Sequence, residues 1–206
     1  MSAVHTLDPT PLGVAAVRAT VGAAFATDPM LEWIFPDSVH RAQATAAWLG
    51  VFVEAYAAGG VVDVIDGAPA ADDSGATAGA ALWRIGQAPL PFSTLPSAGG
   101  LLAGFVGVER CAQLAHALRA FADNKPSPPF HYLQFLAVHP LHQGTGLGRV
   151  LVQHGQQRAS ANGLGVYLES TNARNLPFYR SLGFEPIGEF TLQPDGPSAF
   201  RLWWQP

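Results

Sequence analysis

Three glycines at alternate positions, Gly144, Gly146 and Gly148 in "HQGTGLGRVLVQHG", stand between an apolar run ending at Val138 and an amphipathic run beginning near Leu147. Glycines let successive backbone N–H groups turn into one concavity, and a helix starting there adds the positive end of its dipole, so the arrangement suits a phosphate or diphosphate. Such a nest needs no lysine, and this chain has a single one, Lys125. The same glycines equally suit a plain strand-to-helix turn. A P-loop fails, because Gly148 is followed by Arg149-Val150 and not by Lys-Ser/Thr. A dinucleotide fingerprint finds an acidic residue, Glu169, about twenty residues further on. Its glycines, however, follow G-x-G-x-G, and "HPLHQ" separates them from the strand, which leaves this as a minor alternative.

The elements that would position the glycines are readable around them. The pattern predicts a strand "HYLQFLAV" from His131, a helix from the glycines to about Ala161, an "NG" stop, a strand "VYLES", a helix over about 173–182 with Gly183 as cap, and strands near 185–193 and 198–204. Upstream, a helix follows Asp8 with Pro in its first turn and Asp28-Pro29 as its stop, and a second spans about Ser38 to Ala58 before Gly59-Gly60. "VVDVIDG" and "ATAGAALWRIG" read as an antiparallel pair joined by "APAADDSG". Residues 90–100 recur in Pro and Gly too often for a regular element, helical patterns run from about Leu101 to Phe121, and "ADNKPSPPF" is a Pro-rich connection. No internal repeat is visible.

"VHPLHQGTGLG" followed by "LESTNARNLPFYRSLGF" resembles the two main motifs of the GCN5-related N-acetyltransferase (GNAT) superfamily, the first as a Q/R-x-x-G-x-G/A acetyl-CoA signature. Within it the likeness is to puromycin N-acetyltransferase-like bacterial proteins, through "LES", "RNLPFYRSLGF" and "AAFATDP"; it is strong over about 131–184 and loose elsewhere. The resemblance implies that Leu136, Ala137 and Val138 bind the pantetheine arm by strand-like hydrogen bonds, with Val138 also offering an N–H to the thioester oxygen. Gln143 and the backbone of Gly144, Thr145, Gly146, Leu147, Gly148 and Arg149 would cradle the pyrophosphate. Asn172 and Asn175 match the asparagines of the second motif, and Tyr179 the tyrosine beside the CoA sulfur.

Acetyl transfer to an amine requires a neutral nitrogen, donors for the developing oxyanion and a proton for the departing thiolate. The Val138 N–H meets the second demand, at ~3 kcal/mol for one such donor. The Tyr179 phenol, with a reference pKa of about 10, meets the third; otherwise it is an aromatic packed beside Phe178 and Leu182. Glu169 stands where the family often places a general base, acting directly or through water, and a structural carboxylate is the equal alternative. His139 and His142 read as solvated turn residues, His131 as packed or capping, and His154 as a core histidine. Cys111, the single cysteine, reads as structural, and Trp33, Phe35 and "LPFSTLP" as packing, with a place in the acceptor pocket as the alternative.

The resulting expectation is one GNAT acetyltransferase domain over 1–206, α/β in class. Its central sheet is mixed and mostly antiparallel, of about six to seven strands, splayed between two parallel central strands and flanked by helices. The expected activity is acetyl-CoA-dependent transfer to a primary amine of a small molecule, aminonucleoside or antibiotic-like, within a ternary complex. A noncatalytic acyl-CoA-binding module and a protein-lysine acetyltransferase are the alternatives. The net charge of -4 and the lack of a Lys/Arg run argue against nucleic acid as a partner. No stretch has the length of a membrane span or signal peptide, and one cysteine forbids an internal disulfide, so a cytoplasmic protein is expected. No metal is expected, and a homodimer is compatible with the resemblance.

Overall fold

The computed structural model describes residues 3–67, 77–86, 89–127 and 129–206. A short edge strand β1 (His5–Thr6) precedes α1 (Pro11–Phe25), α2 (Pro29–Ile34) and α3 (Arg41–Gly59). Then come β2 (Val61–Asp66), β3 (Thr77–Ile85), α4 (Ala98–Val106), α5 (Val108–Asp123) and β4 (His131–Val138). The chain closes with α6 (Leu147–Ala161), β5 (Val166–Ser170), α7 (Leu176–Arg180), β6 (Glu185–Thr191) and β7 (Ser198–Trp204). The "APAADDSG" connection lies outside the described residues.

Local chemistry explains most boundaries. Gly13 N–H donates to Thr10 Oγ1 (3.2 Å), and Pro11 at the first helical position loses no needed donor, so α1 starts there. Asp28-Pro29 is more than a stop: Met30 N–H donates to Asp28 Oδ1 (2.9 Å), and the pair opens α2, a helix the sequence pattern did not separate. The helical stretch after Leu101 is two helices divided at Gly107. β1 was not anticipated, since two residues carry no readable period.

Among the described residues the sheet has seven strands in the order β1-β2-β3-β4-β5-β7-β6, and the parallel neighbours β4 and β5 are joined by the α6 crossover. One core lies beneath α1, α3, α4 and α5 and joins Val17, Leu49, Tyr56, Leu102 and Leu114 to Leu82, Phe135 and Ala137. The opposite core lies beneath α6 and α7 and joins Leu151, Val152, Tyr179 and Leu182 to Trp83, Leu133 and Leu168. Across it, Arg158 Nη2 lies 2.7 Å from both oxygens of the fully buried Asp63, tying α6 to β2. His154 is half-buried beside that pair, Nε2 3.8 Å from Asp63 Oδ1, and is not the core histidine expected. Among the described residues no helix is long and apolar enough to cross a membrane.

Helix α6 approaches the sheet closely at Gly155, where an added Cβ would collide with the Trp83 indole. Trp83 is fully buried and has nowhere to retreat. Gly155→Ala is therefore expected to cost about 1–3 kcal/mol by overpacking, despite the better helix propensity of Ala. Urea unfolding measures it, with a lower midpoint and unchanged slope as the expected result.

Candidate active site

β4 and β5 pair only at His131↔Val166 and Tyr132↔Tyr167; beyond that the strands part. The β5-facing edge of β4 is thus left open over its last residues. Which groups point there depends on a bulge. In the β3–β4 register Leu82 faces Phe135 while Trp83 faces Leu133, so Gln134 is an extra residue. Tyr56 OH donates to its Oε1 (2.7 Å) and holds it in place.

The bulge reverses the alternation of the strand. Before it, His131 N–H points to β5 and bonds Gly165 O (2.9 Å); after it, His139 N–H points the other way, to Ala78 O (2.9 Å). Counting back from His139, the Val138 and Leu136 N–H groups face the open edge and the Ala137 N–H faces β3. Side chains follow suit: Leu133 and Leu136, three apart, belong to the α6 core, while Ala137 is fully buried in the opposite one.

A cavity of about 480 Å³ opens at this split. One end is the glycine loop. Gly144 and Gly146 have φ of 77° and 89°, values that favour glycine, and an added Cβ would meet nothing there, so both face open space. Gly146 is the N-cap of α6, and the N–H groups of 147–149 are its first-turn donors, which a helix leaves without partners. Gln143 Nε2 donates to Val138 O (3.1 Å), fastening the loop to the strand end, and Thr145 Oγ1 donates to His142 O (2.6 Å). At Gly148 a Cβ would fill the hollow, 3.5 Å from Phe178 and 3.6 Å from Val138. Arg149 lines the cavity while its guanidinium donates to Ser181 Oγ (2.7 Å).

The other end is made by α7 and the α1–α2 junction: Asn172, Asn175, Phe178 and Tyr179 face Phe25, Thr27 and Asp28. Asn172 Oδ1 accepts from Arg174 N–H (3.1 Å) and caps the 173–175 turn that leads into α7, the helix of Tyr179. Burial, and then the charge of Asp28, push the Tyr179 phenol well above its ordinary pKa, so it keeps its proton at any physiological pH.

Glu169 does not line this cavity. It points to the α1/α3 side of the sheet, with the Tyr132 and Tyr167 phenols, Lys125 and Arg201 around it, and its buried Oε1 has no hydrogen-bond partner among the described residues. Burial raises its carboxyl above the usual range against the opposing pull of the Lys125 charge and the two phenols. Lys125 Nζ sits 4.0 Å from the Tyr132 ring centroid. Thr145 likewise lies outside the lining, as does Ala137.

Of the residues expected from sequence, Leu136, Val138, Gln143, Gly144, Gly146, Leu147, Gly148, Arg149, Asn172, Asn175 and Tyr179 meet around one cavity. Asp28, Phe25, Phe178 and His142 also line it without having been singled out for it. The capping pattern Asp-Pro was the available signal for Asp28; nothing in the sequence points Phe25 there. His131 is buried with Nε2 3.1 Å from Asn162 Nδ2, and Cys111 packs half-buried against the α1/α3 core.

The model of the acetyltransferase (GNAT) family matches residues 74–184, more than half of the 206-residue chain. The chain belongs to the GNAT acetyltransferase family. Among curated proteins it is similar to the N-alpha-acetyltransferase RimI of Mycobacterium tuberculosis, 34% identical over 93 residues, which are 44% of this chain and 49% of that one. The match thus spans about half the length of that relative. Among solved structures it is similar to a histone acetyltransferase HPA2 and related acetyltransferase from Corynebacterium glutamicum (TM-score 0.68, 27% identity, covering 100% of this chain and 97% of that one). The NatC complex bound to Gag peptide and CoA shares the fold (TM-score 0.56, 13% identity, 100% and 99% covered).

Acetyl-CoA is the acyl donor of this family, and the cavity fits it chemically. The free first-turn donors of α6 and the glycine loop suit a diphosphate, and the open β4 edge offers N–H groups at Leu136 and Val138 to an amide-bearing arm. Gly148→Val should occlude the hollow between Phe178 and Val138. Calorimetry is expected to show coenzyme A binding weakened at least ten-fold, with the thermal midpoint nearly kept because an added Cβ meets its neighbours only at ordinary contact distance.

Proposed function

We propose that this chain, read over 1–206 as one catalytic unit, transfers an acetyl group from acetyl-CoA to a primary amine, by direct attack within a ternary complex. The observation that carries this reading is the single cavity in which the glycine loop, the open edge of β4 and the Tyr179 phenol converge. When bound, acetyl-CoA supplies a thioester carbonyl open to attack by nitrogen. The Val138 N–H, aimed at the open edge, donates to oxygen as it gains charge. Tyr179 Oη keeps a proton for the leaving sulfur, and Glu169, reached through water from the other side of the split, takes the proton of the amine. Cys111 lies on α5, outside the cavity, which supports transfer without an acyl-enzyme.

A small amine is the acceptor we favour, of the aminonucleoside or antibiotic-like type that the puromycin-enzyme likeness suggests. Its support is a second, largely apolar pocket of about 520 Å³ formed by Phe52, Phe92, Leu95 and Pro96 with their neighbours. Phe52 stacks edge-on against both Phe92 and Phe135, and Phe135 against the cavity-lining Phe25, so aromatic rings run from one pocket to the other. The second reading, acetylation of a protein N-terminus, is favoured by the 34% identity to RimI.

Thiol release measured over a panel of small amines and short peptides with free N-termini separates the two. Turnover of small amines alone supports the first reading, and preference for peptides the second. No turnover by any of them overturns the proposed activity. Tyr179→Phe is expected to lower kcat roughly 10²-fold with acetyl-CoA affinity intact, as loss of a general acid does; equal turnover would remove it from that role. Because Glu169 must be ionised to accept a proton and burial raises its pKa, kcat should climb with pH above the ordinary carboxylate range. Glu169→Gln should abolish that rise and lower the plateau by roughly 10²-fold.

A further inference from the structure

Asp28 is the only carboxylate lining the acetyl-transfer cavity among the described residues. Its Oδ1 accepts from Met30 N–H (2.9 Å) and from Thr171 Oγ1 (2.9 Å), and its Oδ2 lies 3.1 Å from the same hydroxyl. A hydroxyl has one proton, so the two Thr171 contacts are one shared bond, and Oδ2 retains most of its accepting capacity. These partners account for an oxygen at this position, which caps α2 and fastens the α1–α2 junction to the end of β5. They do not account for a charge, since the Oδ1 of an asparagine would accept from both.

The charge has no ion-pair partner among the described residues: no Lys, Arg or His of theirs lies within ion-pairing distance of Asp28. Arg149, the only arginine or lysine lining the cavity, turns to Ser181 (2.7 Å). The neighbouring Glu32 is engaged by Arg41 (2.9 Å). A carboxylate drawn out of water without a cation is costly, and an arriving cation removes that cost. The surroundings suit an ammonium: Phe25, Phe178 and Tyr179 line the same space, and aromatic rings attract a positive group.

Asp28 is tied to the chain that carries the proposed base: Thr171, whose hydroxyl bonds its carboxylate, stands in the bend just after β5, two residues beyond Glu169.

We propose that Asp28 is the ammonium-binding residue of the acceptor site: its Oδ2 receives a protonated primary amine and holds it beside the Tyr179 phenol. Through water, the ammonium then gives one proton to the Glu169 carboxylate and proceeds as the neutral amine; the proton that nitrogen sheds on forming the amide goes to the phenolate left when Tyr179 protonates the departing sulfur. The inference rests on the acetyltransferase reading for its purpose, but its test does not. The shared chemistry is a primary ammonium, whether of a small molecule or of a peptide N-terminus.

The test titrates the full chain, saturated with coenzyme A, with 2-phenylethylamine, with 2-phenylethanol as its uncharged counterpart, and with a tetrapeptide bearing a free N-terminus; steady-state turnover is measured alongside. The wild type should bind at least one of the two amines in preference to the alcohol. Asp28→Asn should weaken that amine at least ten-fold, leave the KM for acetyl-CoA within two-fold, and keep the thermal midpoint, because Asn still caps α2. Asp28→Ala should lose both amine binding and stability. An Asp28→Asn protein that binds amines like the wild type, or a wild type that binds neither amine, overturns the assignment. Asp28-dependent amine binding without acetyl transfer would uphold it while removing the proposed activity. Which amine binds tells a small-molecule site from a peptide site.

Discussion

The arrangement of this protein depends on two parallel strands that pair for two residues and then separate. A strand edge without a neighbour leaves its N–H and C=O groups exposed, a condition that proteins otherwise cover or charge. Here the open edge of β4 is kept inside the molecule, between α6 and α7 on one side and the α1–α2 junction on the other. The bulge at Gln134 then decides which groups meet that opening. Without the extra residue the Ala137 N–H would face it and those of Leu136 and Val138 would be spent on β3. A hydrogen bond from Tyr56 on α3 therefore bears on chemistry at the far end of the strand, by keeping the bulge where it is.

The same split separates charge. At the glycine loop the cavity wall presents backbone donors and the positive end of α6; at the α1–α2 junction it presents Asp28. The two ends of the hollow thus differ in sign, one suited to an anion and the other to a cation. Tyr179 lies at the Asp28 end, buried and held protonated by that burial and by the nearby carboxylate. Glu169 is kept apart, on the other face of β5, where two phenols and two cations surround it. Two carboxylates with different surroundings can serve one reaction in different capacities, one by charge and one by proton transfer.

Features built from residues close together in the chain are legible in their order alone. The strand ending at Val138, the glycines, the helix to Ala161 and the segment from Asn172 to Tyr179 each announce themselves by period, punctuation or capping. Together they carry most of the cavity lining. Asp28 is visible in the sequence only as punctuation. Its pattern correctly marks a helix boundary, yet its place at the cavity depends on Thr171, 143 residues later, folding against it. Glu169 is legible as a residue at a strand end, but not as one facing away from Tyr179. His154 departs from its expected place because helical period assigns a face without revealing that a buried Asp63 waits on the neighbouring strand.

The sequence by itself determined the local elements and the donor-rich loop, because glycine conformations, proline positions and hydrophobic period act over a few residues. Tertiary structure alone decided the point at which β4 and β5 part, the parity set by the bulge, and the surroundings of Asp28 and Glu169. Those are set by packing between segments far apart in the chain, where no single stretch carries the information.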